Sequence, residues 1–360
     1  MADWSDQTRQ DTILVYDVDP HSLEVRQQLS GVELSGSSIT WGYYTDTRVS
    51  GTLKVKDTNH IDHSLIRIVH SIPDWSYSNE LATMVVTNDD ADRDSGAWIT
   101  SYELHSALSM LENDLLACCY SIGAGAKAKA IISSLIGNAD RPYLFGGDFL
   151  DHIYTESKVY DFGNSVLKTL FDICDTADDH LNVDGHGRIL IDGYIPPHYI
   201  DPSWELDLSN SDTNVLDKIS RSSDRLSTPT RVIVHYKGTK QVQSGNSISS
   251  EEVEVSAYVD ATTGETRASR GYTVAKLYEA QDLSPQDVNA ARKLAETYLP
   301  SDHDTTLTWQ LSCLYMPMKI GECVTLIFHD GPDSGSHHCL VQTITLSLDT
   351  MVMKLTLKEV

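Results

Sequence analysis

The chain has 360 residues, 40% hydrophobic and 22% charged, a length that suits two to four globular domains better than one core. Its 27 Lys and Arg stand against 52 Asp and Glu, a formal charge of −25. That balance argues against nucleic-acid wrapping and docking on anionic membranes, because phosphate binding needs clustered cations.

No apolar run approaches the roughly 20 residues of a spanning helix. The opening MADWSDQTRQD lacks the basic and apolar regions of a secretory leader. Six cysteines, at positions 118, 119, 174, 313, 323 and 339, fall largely in apolar runs and read as reduced thiols of a chain made in a cytoplasm.

The first hundred residues predict a β-rich domain. Thr12–Tyr16 and Leu23–Gln28 flank the turn signal Asp19-Pro20, and further strands are expected at Ile39–Tyr44, Gly51–Lys56, Leu65–His70, Leu81–Thr87 and Ala97–Leu104. In Gly51–Lys56 the alternation turns Leu53 and Val55 inward. Asn88–Gly96 reads as a polar turn tip, and its aspartates lack the spacing of a calcium loop. Short strands with regular turns point to a small barrel or sandwich.

Near Ser106 the period changes. Ala107, Leu108, Met110, Leu111, Leu115 and Leu116 predict a short helix or turn, and Ala124–Ile136 a firmer helix. The preceding Gly123-Ala124-Gly125 lacks the GK[ST] ending of a phosphate loop. Arg141–Asp148 is loop-like. In Ile153–Pro197, Asn164 or Ser165 can cap a helix carrying Val166, Leu167, Leu170, Phe171, Ile173 and Cys174. Asp175, Asp178 and Asp179 crowd its unfavourable end, so it should stop near Thr176. Leu181–Val183 and Arg188–Ile191 then make a hairpin around Asp184-Gly185-His186-Gly187, closed by Pro196-Pro197.

After Pro202 strands are expected at Trp204–Leu208, Thr230–Lys237 and Glu252–Tyr258, with a short polar stretch at Asn214–Ser220. Gln241–Ser250 reads as a loop tip and Ala261–Arg270 as a turn. Ser284-Pro285-Gln286-Asp287 starts a helix with Val288, Ala291, Leu294, Ala295 and Tyr298 on its buried stripe, ended by Pro300. Four strands close the chain: Thr305–Leu311, Cys323–His329, Cys339–Leu346 and Met351–Lys358. The expected class is α+β. The expected division is a β domain at 1–105, an inserted α/β domain at 106–202, a second β domain at 203–238 and 302–360, and a small helix-bearing insertion at 239–301.

No residue stands out as catalytic, cofactor-binding or metal-ligating. Asp178/Asp179, Glu251/Glu252 and Asp302/Asp304 sit in polar segments and read as solvated charge rather than a glycosidase pair. His329, His337, His338 and Cys339 lack a CxxC pair or HExxH helix, and adjacent strand residues point to opposite faces. Ser334 lies in a turn, not a G-x-S-x-G elbow. Tyr43-Tyr44 and Trp75/Tyr77 read as strand core or subunit interface, with a carbohydrate-stacking platform as the competing reading.

Particular phrases fit this layout. They are Ile39-Thr40-Trp41-Gly42 with Arg48–Val55, then Phe162–Pro197 with its VDGHGRILI hairpin, then Tyr315-Met316-Pro317-Met318-Lys319-Ile320-Gly321-Glu322-Cys323-Val324. In order and spacing, from about residue 10 to 360, they resemble the tail hub (baseplate hub) proteins of bacteriophages and contractile injection systems. Glu322 stands where that family usually has Asp.

The resemblance implies two β-barrel domains per chain and a homotrimeric, non-enzymatic ring at the distal end of the tail tube. It implies neighbours of the tail tube or distal tail, tape-measure, and spike, fibre or receptor-binding kinds. DNA would pass through the lumen without specific binding, and the location would be the virion tail tip, after synthesis in the host bacterial cytoplasm. Three chains would carry 3 × −25 = −75, which would keep DNA off a lumen wall that shared the charge. A host-surface carbohydrate-binding adhesin and a cell-wall-degrading tail hydrolase are the alternatives. The end at Val360, straight after the last strand, leaves no room expected for a lytic domain.

Overall fold

The computed structural model describes residues 4, 8–56, 65–94, 97–155, 157–208, 215–223, 228–244, 247–262, 266–280, 288–302, 307–329, 331 and 333–360. Strands come first: β1 (Thr12–Val18), β2 (Val25–Gln28), β3 (Val32–Gly42), β4 (Val49–Lys56), β5 (Leu65–Ile72), β6 (Tyr77–Asp94) and β7 (Ala97–Ser106). Leu53 and Val55 are buried as their alternation requires, whereas β5 is buried along nearly its whole length. The polar stretch expected as a turn at Asn88–Gly96 is instead strand as far as Asp94. Asp89, Asp90 and Asp92 pair with Tyr102, Ser101 and Ile99 of β7. Cross-strand pairing with aromatic and β-branched partners outweighs the poor strand propensity of aspartate.

The middle of the chain supplies α1 (Leu108–Asn113), β8 (Tyr120–Ile122), α2 (Ala128–Asn138), β9 (Tyr143–Phe145), β10 (Lys158–Tyr160), α3 (Val166–Thr176), β11 (Asp179–Val183) and β12 (Ile189–Gly193). Ser165 caps α3, accepting from Lys168 N, and the helix stops at Thr176. Two residues later Asp178 takes φ +54° and turns the chain into β11. One side of α3 packs with α2 and the hairpin, so Ile132, Ile136, Leu170, Ile173, Ile189 and Ile191 share one core. The segment expected as a loop at Arg141–Asp148 contains β9. It joins the hairpin in parallel, Leu144 opposite Leu190, through apolar Tyr143 and Phe145.

Next come β13 (Trp204–Asp207), β14 (Val215–Ser223), β15 (Arg231–Ser244), β16 (Ser247–Asp260), α4 (Arg267–Arg270), β17 (Ala275–Ala280), α5 (Val288–Asp302), β18 (Leu307–Leu314), β19 (Cys323–Phe328), β20 (Gly335–Ser347) and β21 (Val352–Glu359). A 13-stranded sheet runs β14-β18-β21-β20-β3-β4-β7-β6-β5-β1-β2, with β19 on β20 and β13 on β19. Its middle is a long-range pairing, β20 against β3, from Thr343 opposite Gly42 to Ser347 opposite Ser38. Among the described residues the strands expected in two barrels therefore form one hydrogen-bonded path, because β20–β3 spends the edges that separate closure would need.

Contacts divide the chain into two compact units, Met1–Ser220 with Gln310–Lys358, and Arg221–Trp309. In the second, β15 lies between antiparallel β16 and parallel β17. Ala291, Ala295 and Leu299 of α5 pack on Val232, Val234, Val255 and Ala257. The strand expected at Thr230–Lys237 thus pairs within this small sheet. Of the loop expected at Gln241–Ser250, residues 241–244 are the end of β15 and 247–250 the start of β16. Ala261–Arg270 holds the short α4, closed by a Thr266 capping box and by Gly271 at φ +76°. The helix start at Ser284–Asp287 lies outside the described residues. The helix passes Pro300 to Asp302, since a proline this near the end removes a single ladder bond.

Candidate functional site: a docking hairpin and a polar sheet face

The β11–β12 turn is where the helix-bearing middle of the chain is fastened to the large sheet. Thr83 on β6 donates its hydroxyl to the Gly185 carbonyl at 2.8 Å. Arg67 on β5 donates Nε to that hydroxyl at 3.0 Å, and Nη2 to the carbonyls of Leu23 and His186. A Cβ on Gly185 would lie 2.2 Å from the Glu80 carbonyl oxygen, and Gly187 takes φ +87° against Thr83. These two glycines make the close approach possible.

At the other end of the hairpin, buried Arg48 donates Nε to the Leu181 carbonyl at 2.9 Å and Nη1 to the Tyr43 carbonyl. Its guanidinium lies over the Phe171 ring, and burial lowers its proton affinity. Tyr43 stacks on His180 with centroids 4.6 Å apart, and burial pushes the Tyr43 hydroxyl up to about 12.

The outward face of the sheet is built differently. One cross-strand row reads Ser347, Ser38, Thr52, Glu103, Asn88 over β20, β3, β4, β7 and β6. The next reads Thr345, Thr40, Ser50, His105. Ser38 and Thr52 hydroxyls meet at 3.3 Å, and those of Thr40 and Thr345 at 3.1 Å. Between β3 and β7 this face is a shallow trough of short hydroxyls edged by Asp90, Glu103 and His105. Lys54 follows Thr52 on the same face. Such groups offer weak, exchangeable contacts and no array of cations.

The residues weighed for chemistry are scattered. Asp179 is not solvated: it is 4% exposed, and Leu150 N donates to one of its oxygens at 2.9 Å. Burial, with Asp178, Asp192 and Asp151 nearby, raises its carboxyl to about 6. The side chains of Glu251, Glu252, Asp302 and Asp304 lie outside the described residues. His337 bonds the Asp333 carbonyl at 2.9 Å, while His329 meets Asp207 at 3.1 Å. Among the described residues no three His, Cys, Asp or Glu side chains are grouped to hold a metal.

Ser334 is an exposed turn residue, and Gly123 and Gly125 precede α2 without neighbours at their Cβ positions. Trp75 and Tyr77 pack edge-on against Trp4. Tyr44 is 61% exposed beside buried Tyr43. Sequence reasoning missed Arg48 and Arg67 as the fastening cations. The only signal was an arginine inside each apolar strand or strand start.

No family model matches the sequence, and no curated protein matches it. In structure, however, the chain is similar across nearly its full length to phage-type tail proteins. The tail protein from Neisseria meningitidis MC58 matches with a TM-score of 0.67 and 13% identity, over 97% of this chain and 96% of that one. The 43 kDa tail protein of prophage MuSo2 from Shewanella oneidensis gives 0.66 and 10%, over 97% and 98%. The E. coli c3393 protein is a type VI secretion component described as similar to the T4 bacteriophage tail proteins gp27 and gp5. It gives 0.50 and 9%, over 99% of this chain and 75% of that one. The fold is that of these tail proteins.

Proposed function

We infer that this chain is a non-enzymatic structural hub of a phage-type tail, three copies forming a ring at the distal end of the tube. The observation that carries the reading is likeness to tail proteins over 97% of the chain with nearly all of each partner covered, which leaves little outside the shared scaffold. In this reading, residues 1–105, and 203–220 with 310–358, are the barrel-like segments of the ring, while 230–238, expected with them, goes with the small sheet of the second unit. The insertions 106–202 and 239–301 face the tail-tip partners. Tube or distal-tail proteins, the tape measure, and spike or fibre proteins are the neighbours, and the particle's tail tip is the location.

The hydroxyl rows on β20, β3, β4 and β7 support a lumen wall past which DNA slides. The apolar side chains of Leu115, Val159 and Phe162, each more than half exposed, support burial in an assembly. Light scattering on the purified chain, with negative-stain images of the same peak, tests this. The expected result is three times the chain mass and a ring with a central hole. Tyr44 and Tyr199, 61% and 73% exposed, favour the adhesin as second reading. A monomer that bound host glycan would establish that reading instead.

A further inference from the structure

A cavity of about 420 Å³ lies in the first unit between the β11–β12 turn, β6 and the 315–320 segment. One wall is apolar, Trp41 and Ile344 from the core side of the sheet with Leu81, Met318 and Met353, and the other carries Asn79, Glu80, Asn182, Asp184, Arg188 and Lys319. A space of this size with an apolar wall and a few polar groups at its rim has the form of a ligand site.

The rim charges are unequal in how far they are already engaged. Asp184 takes Arg188 Nε at 2.7 Å and the Arg188 backbone N–H at 2.9 Å. Glu80 faces His186 at 3.9 Å. Lys319 is exposed, and among the described residues its ammonium meets no carboxylate. Its backbone is engaged by Glu322, whose carboxylate accepts from the Lys319 N–H and whose N–H donates to the Lys319 carbonyl. The Trp41 indole N–H likewise has no acceptor among the described residues. An unpaired cation and an unused donor border one apolar hollow on a chain of charge −25. That combination selects an anion with an apolar body, Asp184 being held by Arg188 and Glu80 turned toward His186 rather than Lys319.

We propose that this cavity binds an apolar group bearing a carboxylate, its body against Trp41, Ile344 and Met353 and its carboxylate on Lys319. The site belongs to the single chain and does not rest on the hub reading. The carboxylate can be that of a free aliphatic acid or of a peptide C-terminus.

Titration with the anionic dye anilinonaphthalene sulfonate and with uncharged phenylnaphthylamine tests it. The unmodified chain binds one equivalent of each. Lys319→Glu weakens the anionic dye about tenfold and the uncharged dye less than about twofold. Asn182→Trp, which fills the hollow from its rim, removes both, with circular dichroism and the urea midpoint reporting that each variant is folded. Decanoate and a short peptide ending in leucine then compete, and whichever displaces the dye identifies the source, the leucine amide being inert. Anionic-dye binding untouched by Lys319→Glu, binding of both dyes untouched by Asn182→Trp, or displacement by the amide as strong as by the acid would each overturn the proposal.

Discussion

Arg48 carries more of the structure than its place in the bend before β4 would indicate. Its two bonds end on carbonyls of Tyr43 and Leu181, one on the sheet side and one in the inserted hairpin, in a site only 7% exposed. Arg48→Met keeps the apolar stem over Phe171 but leaves both carbonyls without that donor. We expect a loss of roughly 3 kcal/mol, read as a lower urea midpoint at unchanged slope. The glycines of the turn make a second test. Gly185→Ala would drive a Cβ to 2.2 Å from the Glu80 carbonyl, where backbone must move, and should cost about 2 kcal/mol or more. Gly123→Ala, with nothing within 4 Å of the new methyl, should stay within about 0.5 kcal/mol. Equal costs at the two positions would refute the close docking. Glu322 has a structural reason too: its carboxylate accepts from Lys319 N at 3.1 Å and Trp204 Nε1 at 3.0 Å, fastening β13 beside β19.

The hairpin β11–β12 carries two opposed titrations on adjacent residues. Burial raises Asp179 from 3.8 to about 6, so the stability it lends is complete below the unfolded value and is lost as pH rises through 6. Burial, with Arg48 close by, lowers His180 from 6.5 to about 4. Its contribution is therefore complete above 6.5 and lost as pH falls through 4. Between pH 4 and 6 the two slopes oppose each other. Asp179→Asn should raise the melting temperature at pH 7 and make the decline on acidification steeper, and His180→Phe, which keeps a ring against Tyr43, should flatten it. Parallel melting curves against pH for both variants would contradict this account.

This element was also the most legible in sequence. Ser165, the apolar spacing to Cys174 and the Asp-Gly-His-Gly turn are local signals, and helix and hairpin form where they point. The raised carboxyl of Asp179 was not legible, because its burial and the nearness of Leu150 N, Asp192 and Asp151 come only with the tertiary fold. The β6–β7 and β15–β16 arms were hidden for a similar reason. Asp-rich and Ser/Gly-rich stretches look like turns until a partner strand is in register. Nothing local announces that β20 pairs with β3 some three hundred residues earlier, and that pairing decides the order of the whole sheet.

At the scale of the whole chain the charge of −25 and the hydroxyl face pose one physical question, whether a polyanion brought to this face would be held or released. Ser38, Thr40, Ser50 and Thr52 present neutral oxygens, with Glu103 and Asp90 beside them, and offer no row of cations to displace DNA counterions. The unmodified chain should therefore show no salt-sensitive retention of duplex DNA. Placing three cations there, with Thr40→Arg, Ser50→Arg and Thr52→Arg together, changes only outward side chains of β3 and β4. Binding should then appear at low salt and fall with salt at a log–log slope of up to about −3 per chain, one counterion for each phosphate met. If the unmodified chain already bound DNA with such a slope, the face would be a gripping surface and the idea of a slippery wall would fail. If the triple variant gained nothing while remaining folded, the rows on β3 and β4 would be no place for DNA to meet the protein, and the proposal of a lumen wall there would fail.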